Sequence, residues 1–208
     1  MSVVLTANNR KPSAPPQFSD APEIPFFIDV NPGDQFFDEI SWLAFYGIST
    51  GWELPDGTRE YRPLRPIARD AMAAYLYRMA DEPEFTPPAT SPFSDVPTNS
   101  QFYKEITWLA SEGITTGWPD GTYRPLNSVN RDAMAAFLYR FAGSPNFQAP
   151  STPPFKDVPV GTQFYKEMAW LADTGISTGW SDGSYRPLNP VARDAMAAFL
   201  YRLAEWAS

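Results

Sequence analysis

The sequence predicts a mainly α protein made of three tandem helix–loop–helix repeats. Landmarks recur at a fixed spacing: Phe93 to Phe155, Trp108 to Trp170 and Arg131 to Arg193 are each 62 residues apart. Residues 93–142 and 155–204 differ at only 14 of 50 positions, so they are near-copies of one unit. Each copy holds two stretches with apolar side chains at helical spacing, separated by a Pro/Asp/Gly turn signal. A fixed period of this kind means one supersecondary unit made three times, the copies burying one another.

Along the chain, residues 1–25 read as a proline-rich, poorly ordered tail, and 26–80 as the first copy. Residues 81–92, "DEPEFTPPATSP", and 143–154, "GSPNFQAPSTPP", read as semi-stiff extended linkers. Between and after them lie the second copy, 93–142, and the third, 155–205. Within the second copy the first helix is "QFYKEITWLASEG", closed by Gly113 as a C′ residue. Phe102, Ile106 and Leu109 form its i, i+4, i+7 stripe, and Trp108 points off that stripe. The second helix is "RDAMAAFLYRFA": Met134, Phe137, Leu138 and Phe141 make its apolar face, and Ala135 and Ala142 an adjoining face of small side chains. The first copy is four residues longer. Trp42 to Trp108 spans 66 residues while Arg69 to Arg131 spans 62, which puts the insertion in the loop, as Glu53-Leu54 and Arg59-Glu60.

Composition excludes several functions. With 16 Lys plus Arg against 24 Asp plus Glu, the formal charge is −8, and no basic stripe offsets it, which argues against a nucleic-acid partner. The chain has no cysteine and no histidine, so it lacks a disulfide, a thiol nucleophile, the usual zinc ligand and the usual general base. No cofactor and no metal are expected; a calcium loop would need acidic residues at alternating positions over about twelve residues, and none is seen. No apolar run approaches the roughly 20 residues that span a membrane, and Val3 to Leu5 is too short for the core of a signal peptide.

The residues that recur in all three copies are the candidates for function. Arg69, Arg131 and Arg193 open the second helices, where the macrodipole makes a cation unfavourable by a few tenths of a kcal/mol up to about 1. One reading is a structural salt bridge, for example to the aspartate of "FSDV" in a neighbouring copy. The other is that a guanidinium beside helix-terminal N–H groups makes a carboxylate site. Trp52, Trp118 and Trp180 follow a glycine and precede a turn. They either cap the local core or offer a flat face to a sugar ring. Trp42, Trp108 and Trp170 lie in apolar helices and read as core, with a groove wall as the alternative. Asp56, Asp120 and Asp182 sit in the D-G-T/S turn, where aspartate bonds its own backbone; a ligand contact is the alternative. Asp29, Asp95 and Asp157 read as caps or turn formers, and Tyr61, Tyr123 and Tyr185 as half-buried packing.

The stretch "FSDVPTNSQFYKEITWLASEGITTGWPDGTYRPLNSVNRDAMAAFLYRFA" resembles the S-layer homology domain. The shared features are the opening F-x-D-V, a helix with Trp and Leu, G-I-x-x-G, an aromatic followed by D-G-T-aromatic-x-P, and a second helix with Arg at its start. The likeness runs over all three copies, roughly residues 26–205, and the "RDAMAAFLYR" form looks like actinobacterial versions. The resemblance implies a pseudo-threefold intramolecular trimer around a central three-helix bundle, monomeric as a chain. It implies grooves between repeats that bind a cell-wall polysaccharide, often a pyruvylated one, and an extracellular place at the cell wall or S-layer. It also implies that Arg69, Arg131 and Arg193 contact the acidic group of the sugar. The family's Thr-Arg-Ala-Glu opening is otherwise lost: Thr is Ala68, Asn130 and Ala192, Ala is Asp70, Asp132 and Asp194, and Glu is Ala71, Ala133 and Ala195.

Two other functions stay in view. A wall hydrolase needs only two carboxylates, though near-identical copies argue against one unique active site. A surface module that assembles with other proteins would use the same exposed aromatics for protein contacts.

Overall fold

A computed structural model describes residues 25–207. The tail reading of residues 1–24 lies outside the described residues. The elements, in order, are α1 (Phe37–Phe45), β1 (Trp52–Glu53), β2 (Arg59–Glu60), α2 (Arg69–Met79), α3 (Tyr103–Ser111), α4 (Arg131–Phe141), α5 (Tyr165–Asp173) and α6 (Arg193–Trp206). The protein is thus mainly helical, with two helices per copy as the periodicity predicts.

The first helix of each copy starts and stops on backbone geometry. It opens at a phenylalanine in the left-handed region, Phe36, Phe102 or Phe164, with φ of 61°, 58° and 58°. A bulky residue there costs of order 1–3 kcal/mol, and each of these rings packs on the core. The helix ends as the sequence suggests. Gly113 has φ +70°, its N–H bonds the Ala110 carbonyl, and Ile114 N–H reaches back to Leu109, which satisfies the last carbonyls in a Schellman arrangement.

The insertion in the first copy is also where the spacing puts it. β1 and β2 pair antiparallel, Trp52 opposite Glu60 and Glu53 opposite Arg59, so the extra residues lengthen a hairpin by one rung. The turn at its tip, with Leu54 N–H on the Thr58 carbonyl, repeats the shorter turn of Trp118 N–H on Thr122.

The helix pairs join different copies. α2 lies against α3, α4 against α5, and α6 returns to lie against α1. Trp42, Trp108 and Trp170 are the keystones of these pairs. They are 0–2% exposed, and each makes an edge-on contact with a tyrosine of the preceding copy in the ring: Trp42 with Tyr201, Trp108 with Tyr77, Trp170 with Tyr139. The helix tryptophans are therefore core, and none reaches a groove. The linkers run without regular structure over two of these pairs. Tyr77 OH donates to the Pro83 carbonyl and Tyr103 OH to Pro88, while Tyr139 and Tyr165 do the same to Pro145 and Pro150.

At the middle, short extended segments just before α2, α4 and α6 hold hands. Ile67 N–H donates to Val191, Val191 to Val129, and Val129 to Ile67, each at 2.9 Å. The three links close on themselves, so each copy touches the next and the last touches the first.

Truncating a helix tryptophan empties a sealed inter-copy contact. Trp108→Ala should lower the unfolding free energy by about 3–5 kcal/mol, read from urea denaturation. Trp118→Ala, in a half-exposed loop, should cost clearly less.

Candidate functional site

Arg69, Arg131 and Arg193 do not form the salt bridge that their position allows. Among the described residues none of them has a carboxylate partner. The "DV" aspartates are used elsewhere: Asp95 accepts the N–H groups of Tyr123 and Arg124, both at 2.7 Å, and Asp29 and Asp157 act alike in their own copies. Each arginine instead clasps the next copy. Arg69 Nε donates to the Tyr123 carbonyl at 2.8 Å, and Tyr123 OH donates back to the Arg69 carbonyl at 2.8 Å. Arg131 with Tyr185, and Arg193 with Tyr61, repeat the exchange. These tyrosines are fully buried (0% exposed) rather than half-buried, because their hydroxyls have a carbonyl to reach.

A guanidinium that is about 5% exposed needs compensation for lost water. Aromatic faces supply part of it. The Arg69 guanidinium carbon lies 4.1 Å from the Trp118 ring centre, 4.6 Å from Tyr123 and 5.2 Å from Phe137. Arg131 has Trp180, Tyr185 and Phe199, and Arg193 has Trp52, Tyr61 and Tyr75. Each such contact contributes about 0.5–2 kcal/mol. Burial still pulls the Arg69 and Arg131 guanidiniums below their ordinary value, although arginine stays charged.

The helix N-termini are not open anion sites. Arg69 N–H bonds Asn127, Asp70 N–H bonds Pro125, Ala71 N–H bonds the Asp70 side chain and Met72 N–H bonds Ala68. The same pattern recurs at α4 and α6. With the first-turn donors taken by the neighbouring copy and by the helix's own residues, the expected pairing of guanidinium and helix dipole reduces to the guanidinium alone. Asp70, Asp132 and Asp194 sit beside it in a largely dry setting, and burial raises their carboxyls above the usual range.

Trp118 and Trp52 are placed as groove walls, while Trp180 stacks against Arg131 and Arg186. Two grooves of about 510 Å³ each are built alike. In one, Arg69 of the first copy meets Trp118, Asn130, Asp132 and Arg140 of the second and Gln163-Phe164 of the third. In the other, Arg193 of the third copy meets Trp52, Asp70 and Arg78 of the first and Gln101-Phe102 of the second. All three copies therefore contribute to each groove. Gly117 makes the floor possible: a Cβ there would sit 2.6 Å from both Phe93 and the Thr122 carbonyl, at φ +67°.

Sequence reasoning missed Arg78 and Arg140, and Gln101 and Gln163, which line the same grooves. Arg140 NH1 donates to the Ile114 carbonyl and its head faces Phe164 at 5.8 Å. The signal was available: Ala133, Ala136, Phe137 and Arg140 form an i, i+3, i+4, i+7 stripe beginning just past Arg131, and all four line the groove. Asp56, Asp120 and Asp182 lie outside the lining. Each holds its own turn, Asp120 Oδ1 accepting Thr122 N–H at 3.0 Å and its hydroxyl at 2.6 Å. Arg124 adds a 2.9 Å ion pair to Asp120, and Arg186 a 3.4 Å pair to Asp182. In the longer first loop Asp56 is carried outward, and Glu60 takes over at Arg62, 2.9 Å away. Among the described residues no group of acids could hold a metal ion.

The hydroxyl of Thr122, then Arg124, hold the Asp120 carboxyl down at about 2. A depressed carboxyl stabilises the turn at every pH above its unfolded value and loses that contribution as pH falls through about 2. Carboxyl-detected NMR on Thr122→Val should therefore show Asp120 titrating higher, toward the ordinary value.

The comparisons with known proteins point the same way. Cell surface glycoprotein 1 of Acetivibrio thermocellus is 28% identical over 162 residues, 73% of this chain and 7% of that protein. An endoglucanase of Bacillus sp. (strain KSM-635) is 34% identical over 116 residues, 55% of this chain and 12% of that one. S-layer protein EA1 of Bacillus anthracis is 29% identical over 108 residues, 52% of this chain and 12% of that one. The chain thus spans 7–12% of the length of these relatives. The family model of the S-layer homology domain matches twice, at residues 92–135 and 154–197, the stretches that carry the two closest copies of the repeat.

Proposed function

We propose that the chain is a non-covalent anchoring module that binds an acidic cell-wall polysaccharide in the grooves between its copies, outside the cell. The observation that carries this is the guanidinium of Arg69, framed by an indole and two further rings, with its terminal nitrogens open into a groove about 510 Å³ in volume. A flat indole suits the apolar face of a sugar, and an arginine fork suits a carboxylate. Residues 26–80 act as a third S-layer homology copy beside 93–142 and 155–205, supported by the same Arg–Tyr clasp at Arg193 and Tyr61. The closed set of links supports a pseudo-threefold body within one chain, monomeric in solution. Several weak sites on one rigid body gain avidity on a repeating polymer. No enzymatic activity is assigned to this segment: the endoglucanase is matched over only 12% of its length. Among the described residues no helix is long and apolar enough to cross a membrane.

A second reading, assembly with other proteins, draws on one observation. Leu64, Leu126 and Leu188 are 73–82% exposed at the same position of every copy. Light scattering of the purified chain in the absence of glycan separates the two: a concentration-dependent oligomer favours assembly.

The chain should sediment with purified walls and fail to do so once the non-peptidoglycan polymer is extracted. Lysine at positions 69, 131 and 193 together keeps the charge and loses the fork. Affinity for the polymer should fall at least tenfold, as expected for losing about 1.5–3 kcal/mol of charge-assisted hydrogen bonding. Melting curves recorded in parallel separate this from unfolding. A folded triple variant with undiminished affinity overturns the site.

A further inference from the structure

The three arginine pockets are not equivalent, and the difference lies in one side chain. Phe137 and Phe199 stand at the pocket edge beside Arg69 and Arg131. The corresponding residue beside Arg193 is Tyr75. Its hydroxyl accepts a hydrogen bond from Arg193 NH2 at 2.5 Å and lies 2.9 Å from Ser49 Oγ, so Arg193, Tyr75 and Ser49 form a buried chain of three. In the other copies the residues that match Ser49 face their own loops. Thr115 Oγ1 accepts Gly117 N–H at 3.3 Å, and Ser177 Oγ accepts Gly179 N–H at 3.5 Å. Among the described residues neither terminal nitrogen of Arg69 or Arg131 has a hydrogen-bond partner, and neither is sealed from solvent. Arg69 and Arg131 thus keep both terminal nitrogens free of protein partners, whereas at Arg193 one of them already serves Tyr75.

Resting on the glycan-anchor reading, we infer that the protein binds two carboxylate-bearing sugars, at Arg69 and Arg131, and that Tyr75 takes the Arg193 fork out of use although the groove there is as large as that at Arg69. A carboxylate needs two parallel N–H donors for fork-to-fork recognition. At Arg193 it competes with a hydroxyl already bonded to one of those nitrogens, and a displaced Tyr75 oxygen would lose its charged donor. The neutral phenylalanines at Arg69 and Arg131 impose no such competition. The groove in which Tyr75 holds the arginine is also the one with the lengthened hairpin, where Trp52 stands 38% exposed. Its role becomes structural: the clasp with Tyr61 closes the ring of copies whether or not sugar is present.

The test uses the full chain, 15N-labelled at arginine, titrated with a methyl 4,6-O-(1-carboxyethylidene) glucoside, with side-chain Nε–Hε signals assigned from single Arg→Lys variants. Expected are shifts at Arg69 and Arg131, no shift at Arg193, and two sites per chain by calorimetry. Tyr75→Phe installs the residue already present in the other two copies, so its fold is secure; it should add the Arg193 shift and raise the count to three. Phe137→Tyr should remove the Arg69 shift and leave one site. Three equal shifts in the unaltered chain, or a Tyr75→Phe variant still at two sites, overturn the inference while leaving the anchor reading intact. No shift at any of the three arginines overturns the anchor reading and the inference with it.

Discussion

The reciprocal clasp between an arginine at a helix start and a tyrosine of the following copy governs the architecture. In each pair the guanidinium donates to the tyrosine carbonyl and the phenol donates to the arginine carbonyl. Neither residue can be served within its own copy. A single copy would leave a buried cation and a buried phenol without partners, which costs far more than the net worth of the bonds. Three copies satisfy each other only by closing the circle, so the ring is the smallest state in which all six groups are paired. The extended residues beside the clasp, Ile67, Val129 and Val191, repeat the same logic on the backbone.

The clasp also explains why the positive charge sits at the unfavourable end of a helix. The first two N–H groups are taken by carbonyls of the next copy and the third by the helix's own aspartate, so the dipole is met before the arginine contributes. The guanidinium stands among rings and a carbonyl, with Nε committed and its other end facing a groove. Structural and binding roles are thus divided between the two ends of one planar group. For that reason alanine at these positions would remove both, while lysine separates them.

Much of this was legible in the chain. The period located every helix, the loop insertion and the glycine stops, because these depend on local sequence alone. The helix tryptophans were readable as core from their apolar surroundings. What could not be read was partnership. Apolar stripes on α2 and α3 look the same whether they meet each other or a helix of their own copy. The partner of each arginine is a main-chain carbonyl, and a carbonyl leaves no mark in the amino-acid code. The groove arginines Arg78 and Arg140 were overlooked because they sit at the far end of a helix whose start drew attention. The exchange of Phe for Tyr75 was visible as a letter, and it acquires meaning only when Arg193, more than a hundred residues away, is set against it.

The joints of the ring differ in one respect. Two of them, α2 on α3 and α4 on α5, are spanned by a continuous linker strapped down by tyrosine-to-proline bonds. The third, α6 on α1, joins the earliest and latest described helices and, among the described residues, has no such strap; it is held by side chains such as Trp42 and Tyr201. Tension drawn between α1 and α6 would therefore bear first on that joint. Among the described residues that seam is the one place where the ring is closed without covalent continuity.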